Sequence, residues 1–218
     1  MKTNKAQTIE SYIAAHSTPP SKVRQELYEA TQKAKGLDAD MQSGHLIGNL
    51  LQFLVKLSNA RRVLEIGRFT GGSTRAIAEV LPNGASISTI DPDCGLSLQL
   101  AQRYWKEGAV RHRINPIFVD ARAFLGGRHV IHEQNSYDLV FIDGAKEQYE
   151  EYWGLVVPLV RRGGIIVADD TLREGRILKP KRADDKAIDR FNKMVAKDPR
   201  VTVLMLPIGD GITIAVKK

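Results

Sequence analysis

The chain has 218 residues, a formal net charge of +7 and one cysteine, Cys94, and 43% of its residues are hydrophobic. This length predicts a single domain, residues 1–218, that needs no structural metal, and the lone cysteine excludes an internal disulfide framework and favours a reducing cytoplasm. The basic charge invites a nucleic-acid hypothesis, but its clusters at 111–113, 161–162 and 179–182 are short and typical of solvated surface, so that hypothesis is disfavoured.

The first forty residues predict two helices separated by a Pro-Pro pair. Ser43 is predicted to cap a third helix that ends near residue 57, and its apolar stretch is too short to span a bilayer. Residues 1–7 lack the apolar segment of a signal peptide. We therefore predict no membrane partner, and N-terminal helices over residues 1–58 that cover the site or a dimer interface.

Residues 62–73 predict an apolar strand, a glycine-rich turn and a helix, an arrangement that directs backbone N–H groups and a helix dipole at an anionic or zwitterionic ligand. No lysine follows Gly72, which excludes a P-loop. The Glu65-x-Gly67-x-x-x-Gly71 spacing also departs from that of dinucleotide-binding turns. With both phosphate-binding motifs disfavoured, the remaining candidate is a ligand that has no pyrophosphate and whose amino group can meet Glu65. The spacing resembles the first motif of S-adenosylmethionine-dependent methyltransferases; a glycine turn in another α/β protein is the open alternative.

From residue 62 onward, apolar runs alternate with helical patterns, which predicts a parallel sheet with helices on both faces and ligands at the carboxyl ends of its strands. The predicted strands are residues 63–66, 86–90, 117–119, 138–142, 164–168, 201–206 and 212–216, the last two antiparallel. The predicted helices between them are residues 73–81, 95–107, 121–130 and 147–160. Residues 171–185 form a loop long enough to be a lid.

Acidic residues follow the second to fifth predicted strands. Asp91 comes 24 positions after Gly67, near the spacing at which an acidic side chain binds ribose hydroxyls. Asp120 precedes Ala121 at the start of a predicted helix, and helix capping and ligand contact are both open for it.

Asp143, Asp169 and Asp170 follow neighbouring strands and would repel one another unless a cation lay between them. Oxygen donors without His or Cys predict a hard divalent cation, Mg²⁺ before Mn²⁺ or Ca²⁺, and disfavour zinc. Lys146, three residues after Asp143, is predicted to act as a general base if its surroundings lower its pKa; a solvated lysine is the alternative.

Several segments together resemble the cation-dependent O-methyltransferases, which include caffeoyl-CoA and catechol O-methyltransferases. The resemblance extends from about residue 44 to the C-terminus. It is carried by Val63-Leu64-Glu65-Ile66-Gly67 with Thr70-Gly71 and Ser73, Asp143-Gly144-Ala145-Lys146 with Tyr149, Gly163-Gly164 through Asp169-Asp170-Thr171-Leu172, Phe191-Asn192, Asp198-Pro199-Arg200, and Leu206-Pro207-Ile208-Gly209-Asp210-Gly211. It implies a seven-stranded, mostly parallel Rossmann-like sheet with an antiparallel C-terminal hairpin, and usually a homodimer.

The resemblance also implies a reaction, in which two adjacent hydroxyls of a catechol-like small molecule bind the metal and one is methylated by S-adenosylmethionine. The residues predicted to bind this cofactor are Ser43, Glu65, Gly67, Arg68, Ser73, Asp91, Asp120, Ala121 and Asp143. The metal is predicted on Asp143, Asp169 and Asp170, and catalysis on Lys146 and Asp143.

Two departures from the family distinguish this chain. Asp170 stands where the family usually has Asn, and Arg173 and Glu174 stand where the plant enzymes have Trp and Asn. Two rival functions are open. The first is a nucleic-acid methyltransferase, which is disfavoured because residues 143–146 do not match the Asn/Asp-Pro-Pro-aromatic motif of enzymes that modify exocyclic amines. The second is a protein that binds the cofactor but does not catalyse methyl transfer.

Overall fold

The computed structural model describes residues 8–92 and 95–218, so residues 1–7 and Cys94, which carry the predictions about the N-terminus and the redox setting, lie outside the described residues. The described residues form a seven-stranded sheet in the order β3-β2-β1-β4-β5-β7-β6. Its strands are β1 Arg62–Ile66, β2 Ser86–Ile90, β3 Ile114–Ile117, β4 Tyr137–Ile142, β5 Val160–Ala168, β6 Val201–Leu206 and β7 Ile212–Lys217. β1 to β5 pair in parallel, and β7 pairs antiparallel with both β5 and β6, which confirms the predicted fold class.

Helices cover both faces of this sheet. They are α1 Ile9–Ala15, α2 Lys22–Lys33, α3 His45–Leu57, α4 Gly72–Val80, α5 Leu96–Trp105, α6 Ala121–Leu125, α7 Tyr149–Val156 and α8 Ala183–Val195. Successive residues of a strand point to opposite faces, so Leu64 packs with α6, α7 and α8 while Val63 packs with α3, α4 and α5. The central strands are therefore apolar on both faces, as the sequence pattern predicted.

The third strand differs most from its prediction. The apolar run 117–119 predicted it, but β3 ends at Ile117, and Phe118 and Val119 are 45% and 43% exposed. The ladder with β2 runs from the pair Ile87–Ile114 to the pair Ile90–Ile117, so the hydrogen-bonded strand ends at the first residue of the apolar run. Apolar character predicted a strand here, whereas pairing with the neighbouring strand decided its position.

The N-terminal helices pack beside the glycine turn. The buried Thr31 hydroxyl of α2 donates a hydrogen bond to the Thr70 hydroxyl at 3.0 Å, which holds α2 against the turn that follows β1. The apolar residues Ile9 and Tyr12 of α1 are exposed. Within the described ranges, no helix has both the length and the apolar character that a membrane crossing requires.

Two glycines allow the turn after β1 to approach its neighbours. Gly67 has φ +88°, and a Cβ atom there would lie 2.0 Å from the carbonyl oxygen of Asp143. Gly71 has φ +77° at the N-terminus of α4, and its Cβ would lie 2.7 Å from the Trp105 ring. Only glycine combines this left-handed backbone with such close packing. Gly67 therefore brings the end of β1 against the end of β4, and Gly71 brings the turn against α5.

Candidate active site

A cavity of about 640 Å³ opens at the carboxyl ends of β1, β2, β4 and β5. The turns after these strands line it together with the segment between α2 and α3 and the start of the loop after β5. The lining residues include Asp38, Asp40, Met41, Gly67, Phe69, Asp91, Asp120, Ala121, Asp143, Lys146, Tyr152, Asp170 and Arg173. Of the residues predicted to bind the cofactor, five line this cavity directly: Gly67, Asp91, Asp120, Ala121 and Asp143.

Asp91 both lines the cavity and fixes the glycine turn. Its Oδ2 accepts hydrogen bonds from the backbone N–H groups of Arg68 at 2.9 Å and Phe69 at 3.1 Å. This carboxylate therefore connects the end of β2 to the turn after β1. It stands at the edge of the cavity where the sequence predicted a ribose contact.

Asp120 is the N-cap of α6. Its Oδ1 accepts from the backbone N–H groups of Arg122 at 2.9 Å and Ala123 at 3.1 Å, and the bond from Ala123 is the main cause of its lowered pKa. Because Asp120 and Ala121 also line the cavity, capping and proximity to a ligand, which the sequence left as alternatives, occur together.

Glu65, which the sequence predicts to meet the amino group of a ligand, forms hydrogen bonds within the protein in this structure. Glu65 is fully buried, and its two oxygens accept hydrogen bonds from Ser73 at 2.6 Å, Thr89 at 2.6 Å and Thr74. Burial raises its pKa to about 7 despite these three donors. The side chain is absent from the lining of the large cavity. Glu65 instead ties β1 to β2 and to the first turn of α4.

Ser43, Arg68 and Ser73 border a second cavity of about 10 Å³, room for about one water molecule. It shares Met41, Phe69 and Asp143 with the large cavity, so the two spaces adjoin. The predicted cofactor residues therefore surround one region, but these three stand behind its wall rather than on the open face.

Asp143 and Lys146 line the part of the cavity that lies beside the ends of β4 and β5. The Asp143 backbone N–H donates to the Ile66 carbonyl at 2.7 Å, and its Oδ2 accepts from the Ser43 hydroxyl at 3.0 Å. The Lys146 ammonium donates to Asp143 Oδ1 at 2.9 Å and forms an ion pair with Asp170 Oδ2 at 2.7 Å. One ammonium group thus bridges carboxylates that follow two adjacent strands.

This arrangement contradicts the lowered pKa predicted for Lys146. Burial by itself lowers the pKa of Lys146, but the attraction of Asp143 and its neighbours outweighs burial, so the pKa lies well above its ordinary value. With these partners Lys146 is an ammonium ion at neutral pH and acts as a hydrogen-bond donor. It can stabilise a negative charge that develops on an oxygen bound beside it.

The metal prediction placed a divalent cation among Asp143, Asp169 and Asp170. Asp169 is buried, its Oδ1 accepts the Asp170 backbone N–H at 2.8 Å, and burial raises its pKa well above the ordinary value. Within residues 8–92 and 95–218, no three His, Cys, Asp or Glu side chains come close enough to hold one ion. Because the Lys146 ammonium lies between two of the three carboxylates, the side chains as arranged do not fit a divalent cation.

Arg173 is a residue of the site that sequence reasoning did not assign. It lines the cavity, its Nη1 lies 3.8 Å from Asp170 Oδ2, and its other nitrogens pair with Asp184 and with the buried Asp185 at 3.6 Å. The extra carboxylate at position 170 therefore has a cation nearby. The departures from the family pattern at positions 170 and 173 were the sequence feature that could have indicated Arg173 as a site residue. The sequence did not show that the two side chains lie close together.

Asp38, Asp40 and Met41 also line the cavity without having been predicted. They belong to the segment between α2 and α3, which carries no recognisable motif. The segment follows α2, which the Thr31–Thr70 hydrogen bond holds against the glycine turn beside the strand ends.

Comparisons with known proteins give matches over nearly the whole chain. The family model described as O-methyltransferase matches residues 14–218. Caffeoyl-CoA O-methyltransferase of Populus kitakamiensis is 33% identical over 96% of this chain and 93% of its own length. Tapetum-specific methyltransferase 1 of Arabidopsis thaliana is 34% identical over the same shares of the two chains.

Solved structures share the fold over nearly the whole chain. A putative O-methyltransferase from Klebsiella pneumoniae superimposes with a TM-score of 0.86 at 27% identity, covering 96% of each chain. The O-methyltransferase from Bacillus cereus, solved in complex with SAH, superimposes with a TM-score of 0.85 at 25% identity, covering 96% of this chain and 97% of the other.

Proposed function

Because the chain belongs to the O-methyltransferase family and is an S-adenosylmethionine-dependent enzyme, we propose that it methylates one hydroxyl of a catechol-like small molecule. The observation that carries this proposal is a single cavity lined both by the glycine turn with Asp91 and by the Lys146–Asp170 ion pair. A cofactor half and a polar reacting half therefore face each other across one space.

The residues present fit the cofactor. The cavity of about 640 Å³ lies at the strand ends of a Rossmann-like sheet, where Gly67 keeps the turn open and Asp91 stands at the position expected for ribose hydroxyls. When bound, S-adenosylmethionine supplies an electrophilic methyl group on a sulfonium. The SAH in the Bacillus cereus relative supports the same ligand class here.

The residues of the reacting half orient the acceptor, stabilise negative charge on its oxygen and accept its proton. The Lys146 ammonium donates a hydrogen bond to the acceptor oxygen as negative charge develops there. Asp170 lines the cavity with its side chain 31% exposed, and it accepts the proton that leaves the acceptor hydroxyl. Holding the acceptor against these groups supplies orientation, which is worth on the order of 7–11 kcal/mol in well-aligned reactions.

The divalent cation stays a prediction of the sequence, and no step above is assigned to it. The family resemblance predicts that EDTA abolishes methyl transfer and that Mg²⁺ restores it. The Lys146 ammonium between Asp143 and Asp170 predicts that transfer continues in EDTA. Transfer rates after exhaustive chelation, with and without added Mg²⁺, separate these two predictions.

Transfer of a radiolabelled methyl group from S-adenosylmethionine to a small panel of catechols tests the proposed function. We expect a mono-O-methylated product, identified by mass spectrometry, from catechols and none from matched rings that carry no hydroxyl. Cofactor binding by calorimetry without transfer to any acceptor would support the rival, a cofactor-binding protein without catalysis, and would overturn the proposal.

We also propose a homodimer. Large apolar side chains on α3 are exposed in the single chain, Phe53 at 63% and Leu57 at 76%, and burying such residues is a main source of interface stability. Light scattering after gel filtration is expected to give about twice the mass of 24.2 kDa. A single-chain mass would contradict the proposal. The single domain over residues 1–218 and the cytoplasmic location stay predictions.

A further inference from the structure

Tyr149, the first residue of α7, is fully buried beneath Lys146 and does not line the cavity. Its hydroxyl oxygen lies 2.9 Å from the Lys146 ammonium, which donates a hydrogen bond to it. The Tyr149 proton is directed at two backbone carbonyls, those of Asp169 at 3.1 Å and Ile142 at 3.3 Å. The hydroxyl is therefore an acceptor for Lys146 and a donor to the ends of β4 and β5.

The three contacts of Lys146 differ in how firmly they are held. An ammonium has three N–H donors, and here they meet Asp143, Asp170 and Tyr149. Asp170 is partly exposed on the cavity wall, so it is the contact that an acceptor can replace. Asp143 is less exposed and is also held by the Ser43 hydroxyl, and Tyr149 is fully buried, so these two contacts remain.

The buried Tyr149 ring is held by aromatic neighbours. Phe191 of α8 packs edge-on against it with ring centroids 5.3 Å apart, and the Tyr152 ring lies at 6.3 Å. A lysine stem has four carbons and many rotamers, so an acceptor of fixed position limits where its charge can lie. Tyr149 supplies that fixed position and ties it to both strand ends.

Resting on the proposed function, we propose that Tyr149 is a positioning residue for the methyl transfer, which holds the Lys146 ammonium where it meets the acceptor oxygen. Tyr149 acts through Lys146 and does not touch the cofactor or the acceptor. Its removal therefore lowers the turnover of bound reactants and leaves cofactor binding unchanged.

The test compares Tyr149→Phe with Tyr137→Phe, a matched control that removes a hydroxyl from a buried tyrosine at the opposite end of β4. We expect Tyr149→Phe to lower kcat about tenfold, the size of one lost charge-assisted hydrogen bond, with the KM for S-adenosylmethionine within about twofold of the parent. The control is expected to keep kcat within about twofold. Equal kcat values for the parent and Tyr149→Phe would overturn the inference.

A double-mutant cycle with Lys146→Met separates positioning from a general structural role. If Tyr149 acts through Lys146, the tenfold effect of Tyr149→Phe disappears when Lys146 is already methionine. A structural role would lower the residual rate, measured with radiolabelled cofactor, by the same factor in both backgrounds. That additive result would refute positioning.

A readout without catalysis distinguishes failure of this inference from failure of the proposed function. Acetylation of Lys146, followed by mass spectrometry, is expected to run several-fold faster in Tyr149→Phe than in the parent, while exposed Lys56 reacts at the same rate in both. If Tyr149→Phe does not fold, Phe191→Leu keeps the hydroxyl and loosens the ring, and a smaller increase at Lys146 is expected. Unchanged labelling of Lys146 in the folded variants would reject the inference even if no catechol is methylated.

Discussion

The end of β1 and the turn after β4 are neighbours, and each carries a largely buried acid whose partners differ. Among the described residues, Glu65 accepts hydrogen bonds from three neutral hydroxyls, those of Ser73, Thr74 and Thr89. Asp143 accepts from one hydroxyl, that of Ser43, and from the Lys146 ammonium, beside an open cavity.

This difference shows what makes a buried acid structural or functional. Three neutral hydroxyls hold the Glu65 carboxylate, so it fixes β1 against β2 and the first turn of α4. A cation that can exchange one partner for a ligand keeps the Asp143 cluster open to chemistry. Burial is common to both acids, and the kind of partner separates them.

Removing the Lys146 ammonium, which follows β4, is expected to have the largest effect. Lys146→Met should lower kcat for catechol methylation by about 10² to 10³, the usual loss when one preorganised donor to a developing oxyanion is deleted. Binding of S-adenosylmethionine, measured by calorimetry, should stay within about threefold. Lys56→Met, which removes an exposed lysine of α3, serves as the control. A kcat within twofold of the parent would remove Lys146 from the mechanism.

Forcing the two turns apart tests whether they depend on each other. Gly67→Ala places a Cβ 2.0 Å from the Asp143 carbonyl oxygen at φ +88°, so we expect a loss of about 3 kcal/mol or more in the free energy of unfolding. Gly175→Ala is the matched control, because φ is +77° and no atom lies within 4 Å of the added Cβ. Urea unfolding should show a smaller loss there, about 1–2 kcal/mol from backbone strain. Equal losses would mean that close packing of the turns contributes nothing.

Glu65 of β1 should make the free energy of unfolding depend on pH. Glu65 has a pKa of about 7 in the folded chain against an ordinary 4.5, so its contribution is most favourable below pH 4.5 and is lost as pH rises through 7. The stability of the parent relative to Glu65→Gln should therefore fall by about 2.5 kcal/mol between pH 5 and pH 8. Urea unfolding at the two pH values measures this difference. A rise in relative stability with pH would mean that Glu65 is stabilised as a carboxylate.

The smallest effect is expected at Asp120, an acid at the same edge that is open to solvent and caps α6. Asp120→Asn keeps an oxygen acceptor for the Arg122 and Ala123 N–H groups, whereas Asp120→Ala should cost about 1 kcal/mol of unfolding free energy. Thermal unfolding of the two variants compares them. If both lose stability equally, charge rather than capping is what Asp120 contributes.

Much of the fold was predictable because local rules act over short stretches of chain. Apolar runs on both faces predicted the parallel sheet, and the Glu65-x-Gly67-x-x-x-Gly71 spacing predicted the glycine turn. The position of β3 was predicted wrongly, because pairing with Ile87–Ile90 of β2, and not local apolarity, selected residues 114–117.

The sequence by itself determined which strand ends carry acidic residues, and hence at which edge of the sheet the site lies, because the apolar runs and the acidic residues that follow them can be read directly along the chain. The tertiary structure alone decided the partner of each acid. The hydroxyls around Glu65 come from three positions up to 24 residues away, and Lys146, three residues after Asp143, also pairs with Asp170 beyond the end of β5. The partners of an acid therefore include residues that other strands and helices bring to it, which the sequence pattern did not predict.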